Sequence, residues 1–437
     1  MPIFEIKETC KGLAMITPEN KKNFIWNSLG AGLNAFHSPL FLMIVSRVLG
    51  IREAGFFTIA FTTGVLLSNI GLYNVRSYQI TDYNRNHSDA VYLNARIVTS
   101  FFMILAVTAY SLTKISDPPL FCVVLLLGLW RVPEVMSDVI HGTLQMNRRL
   151  DLVGKSLLIR AGLCIAVFTV SVYAAHNLIL ACALLVCVNV LVFALYDRRN
   201  YRKICPLHKI YFDYLVRDLL RSCFPLFLIS IIYSYLINAP RYAIDLFGTP
   251  EIQTVFSIIV LPASMIWVVF IMVLNPILPR LSELYFSGKR NEFDRRIRSL
   301  IIAIAVFCII YLAFMYLAGI RVFEIVYKVP LLSYRKEFML AGIASGFLCV
   351  ATVYSNLLIM IRENKILLVS YILAAAVSAG SSMLLVKNQG LYGAAASYLI
   401  SMLFLMMILV AGYVLMDSQR KAELESLAGQ DSNNHRS

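Results

Sequence analysis

Twelve stretches of about 20 mostly apolar residues follow one another along this chain, and that recurrence constrains its fold more than any local motif. A run of that length, wound as an α-helix rising 1.5 Å per residue, matches the roughly 30 Å hydrocarbon layer of a bilayer. Lipid offers no hydrogen bonds to the backbone, so each run must satisfy its own N–H and C=O groups, which a helix does. Composition agrees. Of 437 residues, 59% are hydrophobic and only 15% charged, with a mean hydropathy of +0.73. Soluble domains carry roughly 25% charge, so a soluble enzyme, a secreted disulfide scaffold and a disordered linker are all excluded. The predicted fold class is an all-α integral membrane protein of about 12 transmembrane helices.

The spans fall at approximately 24–46, 54–75, 93–113, 119–142, 152–174, 177–196, 222–246, 252–278, 299–318, 337–360, 366–386 and 390–415. The first apolar run, Asn23 to Val45, is too long for a signal-peptide core and lacks a small-residue cleavage site. An even count puts both termini on one side. Of the 39 Lys and Arg, 29 fall in the termini and the connections on that side, 9 on the other, and Arg131 inside a helix. The positive-inside rule then predicts cytoplasmic termini. The net charge of +14 is thereby a matter of topology, and no nucleic-acid partner is expected. Nine cysteines include no C-x-x-C pair, which argues against a zinc or redox site. Cys122, Cys164, Cys182, Cys187, Cys308 and Cys349 sit in apolar runs and read as small buried hydrophobes. No cofactor is expected.

The chain also repeats itself. Arg47-Val-Leu-Gly50-Ile-Arg-Glu53, at the end of the first span, is echoed 198 residues later by Asp245-Leu-Phe-Gly248-Thr-Pro-Glu251, at the end of the seventh. A weaker echo joins Asn147-Arg-Arg149 to Arg362-Glu-Asn-Lys365. Six spans on each side of a polar seam give two halves of the same orientation, a parallel repeat, and substrate sites in such proteins lie between the halves near mid-membrane. The predicted organisation is a cytoplasmic N-terminus (1–22), a first six-helix bundle (23–196), a cytoplasmic basic linker (197–221), a second bundle (222–415) and a mobile cytoplasmic tail (416–437).

The opening Asn23-Phe-Ile-Trp-Asn-Ser-Leu-Gly-Ala-Gly-Leu-Asn34, then Ser46-Arg-Val-Leu-Gly50, Glu53-Ala-Gly-Phe56 and Gly71-Leu-Tyr-Asn-Val-Arg76-Ser-Tyr-Gln-Ile-Thr-Asp82, resembles bacterial polysaccharide exporters of the O-antigen flippase type. These belong to the multidrug/oligosaccharidyl-lipid/polysaccharide (MOP) exporter superfamily. The resemblance implies a V-shaped pair of bundles around a central cavity. It also implies movement of an undecaprenyl-diphosphate-linked oligosaccharide, a polysaccharide or O-antigen repeat unit, to the outer leaflet by alternating access. Membrane lipids, and a polysaccharide polymerase or glycosyltransferases, are the implied partners.

An ionised group inside a membrane helix costs at least about 2.5 kcal/mol, so each must face protein or water. The fourth span carries Arg131, Glu134, Asp138 and His141 along one helical face. Two readings stand: a cavity stripe in which Arg131 meets a diphosphate and an acid or His141 binds a coupling ion, or an i, i+3 pair in which Arg131 and Glu134 neutralise each other. The seventh span offers Ser234, Asn238, Arg241 and Asp245 with Tyr233, Tyr235 and Tyr242 nearby. Arg suits a phosphate through its planar fork, although Tyr and Arg also mark helix ends at the interface. The first span shows Asn27, Asn34 and Ser38 beside His37, residues of helix packing or of a cavity wall, with Pro39 a candidate kink. Arg47 and Arg76 complete the cations near membrane depth, and Glu134, Asp138, His141, Asp245 and His37 are the coupling candidates. The basic stretches Arg198–Arg221 and Arg280–Arg298 read as amphipathic, interfacial and lipid-binding. An ion-coupled exporter of small cationic molecules is the alternative function, and the Arg excess argues for an anionic cargo. No Asp-x-Asp or H-E-x-x-H motif and no large loop supports an enzyme.

Overall fold

The computed structural model describes residues 18–82, 87–205, 213–361 and 363–434. Most of the predicted N-terminal segment, 1–17, lies outside the described residues. The helices are α1 (Pro18–Val48), α2 (Ile51–Leu72), α3 (Asp89–Leu112), α4 (Pro118–Met146), α5 (Leu150–Ala175) and α6 (Leu178–Arg202). After these come α7 (Tyr214–Phe247), α8 (Pro250–Phe286), α9 (Arg290–Tyr327) and α10 (Arg335–Met360). A two-turn helix, Val75–Thr81, lies between α2 and α3. Caps explain several starts. Asp117, Asn177 and Thr249 each accept the backbone N–H three residues on, opening α4, α6 and α8, and prolines stand at the first positions of α4 and α8.

By length and composition eleven helices among the described residues suffice to cross a membrane, because the last segment runs unbroken from Asn364 to Ser418. Its 55 residues would extend about 80 Å as one rod, far beyond a bilayer. Gly390 breaks it, with φ 55° and ψ −126°, a conformation reserved for glycine. The chain folds back there: Ser382 Oγ donates to Ser397 Oγ at 3.3 Å, and a Cβ on Gly412 would touch Ile366. The segment is therefore two antiparallel helices, α11 (364–389) and α12 (391–434), and the spans number twelve. The fold class is as the apolar pattern predicts.

Two compact units divide within α7, Met1–Ile231 and Ile232–Ser437. In the first, α1 packs on α5, α2 and α3 on α4, and α5 on α6. The second repeats the scheme: α8 and α9 pack on α10, and Ser378 of α11 donates to the Leu236 carbonyl of α7. The repeated Gly-x-x-Glu segments occupy equivalent places, the turn between the first and second helix of each set, with Glu53 and Glu251 in the first turns of α2 and α8. The backbones of α1 and α5 approach most closely at Gly30 and Gly154, where a Cβ on Gly154 would overlap the Trp26 backbone.

Several boundaries differ from those read in the sequence, for one reason. A hydropathy window sees the apolar part of a helix, whereas helical hydrogen bonding continues past it into polar sequence. Thus α7 starts at Tyr214, α8 runs on to Phe286, α9 starts at Arg290, and the tail expected to be mobile continues α12 to Asn434. Within the described residues, the basic stretches at 198–221 and 280–298 are largely the ends of these helices rather than separate elements. Cys187 is exposed and Cys122 half-buried, because one side of each membrane helix faces lipid; Cys164, Cys182, Cys308 and Cys349 are buried.

Candidate functional site

In the first unit the polar stripe of α4 meets partners on three other helices and on the two-turn segment. Arg131 donates through Nη1 to Glu134 Oε2 at 2.8 Å and stacks on Trp130 and Phe61, 4.6 and 4.7 Å from their centroids. His37 of α1 is buried edge-on to Trp130; its Nδ1 lies against the Asn34 carbonyl, and its Nε2 has no partner among the described residues. One α4 turn further, Asp138 bridges two guanidiniums, Arg76 Nη1 at 3.2 Å and Arg96 Nη2 at 2.8 Å. Arg96 also donates to the Gly71 carbonyl, and Arg76 to Gln145 at 2.9 Å.

The most deeply buried carboxylate among the described residues is Asp197, 1% exposed. Its inward position comes from a π-helical turn, Phe193–Asp197, which inserts one extra residue into α6 and rotates the rest of the helix about its axis. The Asp197 carboxylate accepts from Arg160 Nη2 at 2.6 Å, Ser137 at 2.7 Å and Ser156 at 2.5 Å, with His141 Nε2 3.4 Å away. Arg160 keeps Nε and Nη1 without partners among the described residues. The interior of this unit thus holds Arg76, Arg96, Arg131 and Arg160 against Glu134, Asp138 and Asp197, with each of these carboxylates engaged by a guanidinium. Arg96 and Arg160 lie near the starts of the spans predicted at 93–113 and 152–174 but were not singled out as site residues, and Asp197 falls just past the span predicted at 177–196. A lone charge inside or at the edge of an apolar run is the signal that could have found them.

The second unit differs. Arg241 of α7 donates to Asn238 Oδ1, reaches Ser257 Oγ at 3.5 Å and lies 5.8 Å from the Phe256 centroid. Among the described residues no carboxylate lies within ion-pair distance of it, Asp245 one turn on included. One turn before Ser257 on α8, Gln253 is 2% exposed, and both its amide atoms lack a partner among the described residues. Tyr235 and Tyr242 stack at 5.8 Å on the same helix as Arg241. This is a half-buried cation with spare hydrogen-bonding capacity around it, the arrangement an anion would complete. Of the other predicted residues, Arg47 is exposed at the end of α1, and Asn34 is half-buried beside His37.

Set against known structures, 92% of this chain superposes on 99% of an inward-facing multidrug resistance MATE family transporter of the MOP superfamily, with TM-score 0.67 and 14% identity. An outward-facing transporter of that family covers 94% of this chain and 97% of its own, with TM-score 0.57 and 13% identity. A MOP superfamily transporter from Pyrococcus furiosus, described as having a binding pocket of reverse polarity that suggests a different function, covers 93% and 96%, with TM-score 0.56 and 13% identity. No family model and no curated protein matches the sequence. The chain is a multi-pass membrane protein with the fold of membrane transporters. More narrowly, that fold is the one found in MATE transporters of the MOP superfamily.

Proposed function

We propose that this protein is an exporter working by alternating access, and that its cargo is an undecaprenyl-diphosphate-linked oligosaccharide flipped across the bacterial cytoplasmic membrane. The fold supports the transport half of this reading, and the sequence resemblance to O-antigen flippases supports the cargo. The observation that carries it is Arg241, a half-buried guanidinium with no carboxylate within ion-pair distance among the described residues, together with the Gln253 amide, unpartnered among them and one turn along α8 from Ser257. A diphosphate supplies the missing charge and accepts from both. Export of small cationic molecules, the second reading, has the multidrug transporters of like fold in its favour. It needs carboxylates open to a cation, whereas Glu134, Asp138 and Asp197 are each held by arginine.

Deleting the gene tests the reading. Lipid-linked oligosaccharide then accumulates in the inner leaflet and the surface polymer disappears. Complementation with Arg241→Lys restores export in part, and Arg241→Ala leaves it about ten- to hundred-fold lower at equal protein level, since a charge-assisted hydrogen bond contributes roughly 1.5–3 kcal/mol. Normal export by Arg241→Ala rejects the anion site, and drug hypersensitivity with intact surface polymer selects the second reading.

A further inference from the structure

The cytoplasm-type end of α6 carries a cleft of about 660 Å³ that the transport reading does not use. Ala194 and Leu195 form its apolar end, and Arg198, Arg199, Arg202 and Lys203 its charged end. The reason for this separation lies in the local helix. Beyond the π turn, Asp197, Asn200 and Tyr201 point inward: Asp197 joins the Arg160 cluster, and Tyr201 packs with Val75, Val91 and Val216. That leaves Arg198, Arg199, Arg202 and Lys203 outside, all exposed. Among the described residues none of the four has a carboxylate within ion-pair distance; Lys203 meets only the Asn200 side chain, at 3.4 Å. Four unneutralised cations on two turns of helix repel one another, and the helix is held in place by its buried face, so the repulsion cannot be relieved by turning.

We propose that this cleft is a binding site for the headgroup of an anionic phospholipid. Charge complementarity commits the surface to that occupant. The apolar neighbours are exposed Leu191 and Leu195 on the membrane-spanning part of the helix, and the cations come directly where that part ends. A ligand that fits both halves has an acyl chain lying along the leucines and phosphate oxygens among the guanidiniums. Four cations favour a headgroup with two phosphates, such as cardiolipin, over one with a single phosphate. A second basic cleft, formed on α9 by Glu292, Arg295, Arg296 and Ser299, contains its own carboxylate and serves as the internal comparison.

The test uses the full-length protein reconstituted in nanodiscs of zwitterionic lipid doped with cardiolipin or phosphatidylglycerol, followed by native mass spectrometry of the lipids retained. Wild type retains cardiolipin. Each surface charge contributes about a fivefold change in binding, so Arg198→Gln/Arg199→Gln/Arg202→Gln/Lys203→Gln retains at least tenfold less, while Arg295→Gln/Arg296→Gln stays within twofold of wild type. Lysine at all four positions keeps most of the retention, because charge rather than fork geometry dominates at a wet surface. Equal retention by the glutamine quadruple variant overturns the site. So does displacement of the lipid by inorganic pyrophosphate at equal concentration, which identifies a soluble phosphate ligand, or by undecaprenyl diphosphate in preference to cardiolipin, which assigns the cleft to the transported lipid. The four side chains are exposed, so the variants fold, and an unchanged gel-filtration profile verifies it.

Discussion

Arg131 and Glu134 are one turn apart on α4, and their 2.8 Å contact makes each the condition for the other's burial. Removing one partner of a fully buried pair strands a charge and costs about 3–5 kcal/mol, and less for a half-buried pair such as this one, whereas replacing both with isosteres is close to neutral. Arg131→Gln therefore lowers the amount of folded protein, and Arg131→Gln with Glu134→Gln restores it. If export returns along with the protein, the pair is structural and Arg131 leaves the cargo site; if the folded double variant fails to export, Arg131 belongs to it. Asp197 is held more tightly still. Asp197→Asn leaves the Arg160 guanidinium without its counter-ion, and the thermal midpoint in detergent falls by more than for Asp138→Asn, whose carboxylate is about one-fifth exposed. A larger drop for Asp138→Asn contradicts the ranking by burial.

At the level of helices, the α1–α5 seam is limited by backbone rather than by side chains. A Cβ at Gly154 overlaps the Trp26 backbone, which has no rotamer by which to give way. Overpacking of this kind costs about 1–3 kcal/mol or more, so Gly154→Val lowers the thermal midpoint and the yield. Gly32→Ala is the matched control, since its Cβ meets nothing within 4 Å. Equal behaviour of the two variants would falsify the close approach. Both glycines stand in the same kind of apolar sequence, and only the packing tells them apart.

For the whole molecule, we propose from the even number of spans and the bias of basic residues that both termini lie in the cytoplasm. Moving Arg96, Arg160 and the α7 residue Arg241 out of the loop tally leaves 27 against 8, and this bias is what the proposed orientation rests on. In a background without other cysteines, Cys10 and Ser432→Cys are labelled by an impermeant maleimide only after the membrane is opened from inside, and Lys387→Cys is labelled from outside. Labelling of either terminus in intact cells reverses the topology.

Span number, the six-plus-six doubling and the turn signature Gly-x-x-Glu are properties of local sequence, because in lipid each segment satisfies its own backbone and its hydropathy alone decides whether it inserts. The α11–α12 hairpin was legible in the same way, with Gly390 lying between two apolar runs of spanning length. Charge pairing was not. Asp197 meets Arg160 across 37 residues and Arg96 meets Asp138 across 42, distances at which helix periodicity carries no information about which faces turn toward each other. A one-residue π insertion in α6, invisible in the sequence, decides that Asp197 points inward and Arg198 outward. Only the packed structure separates the arginines that are neutralised, Arg76, Arg96, Arg131 and Arg160, from Arg241, which is not, because the free energy of a buried charge depends on its nearest partner rather than on its place in the chain.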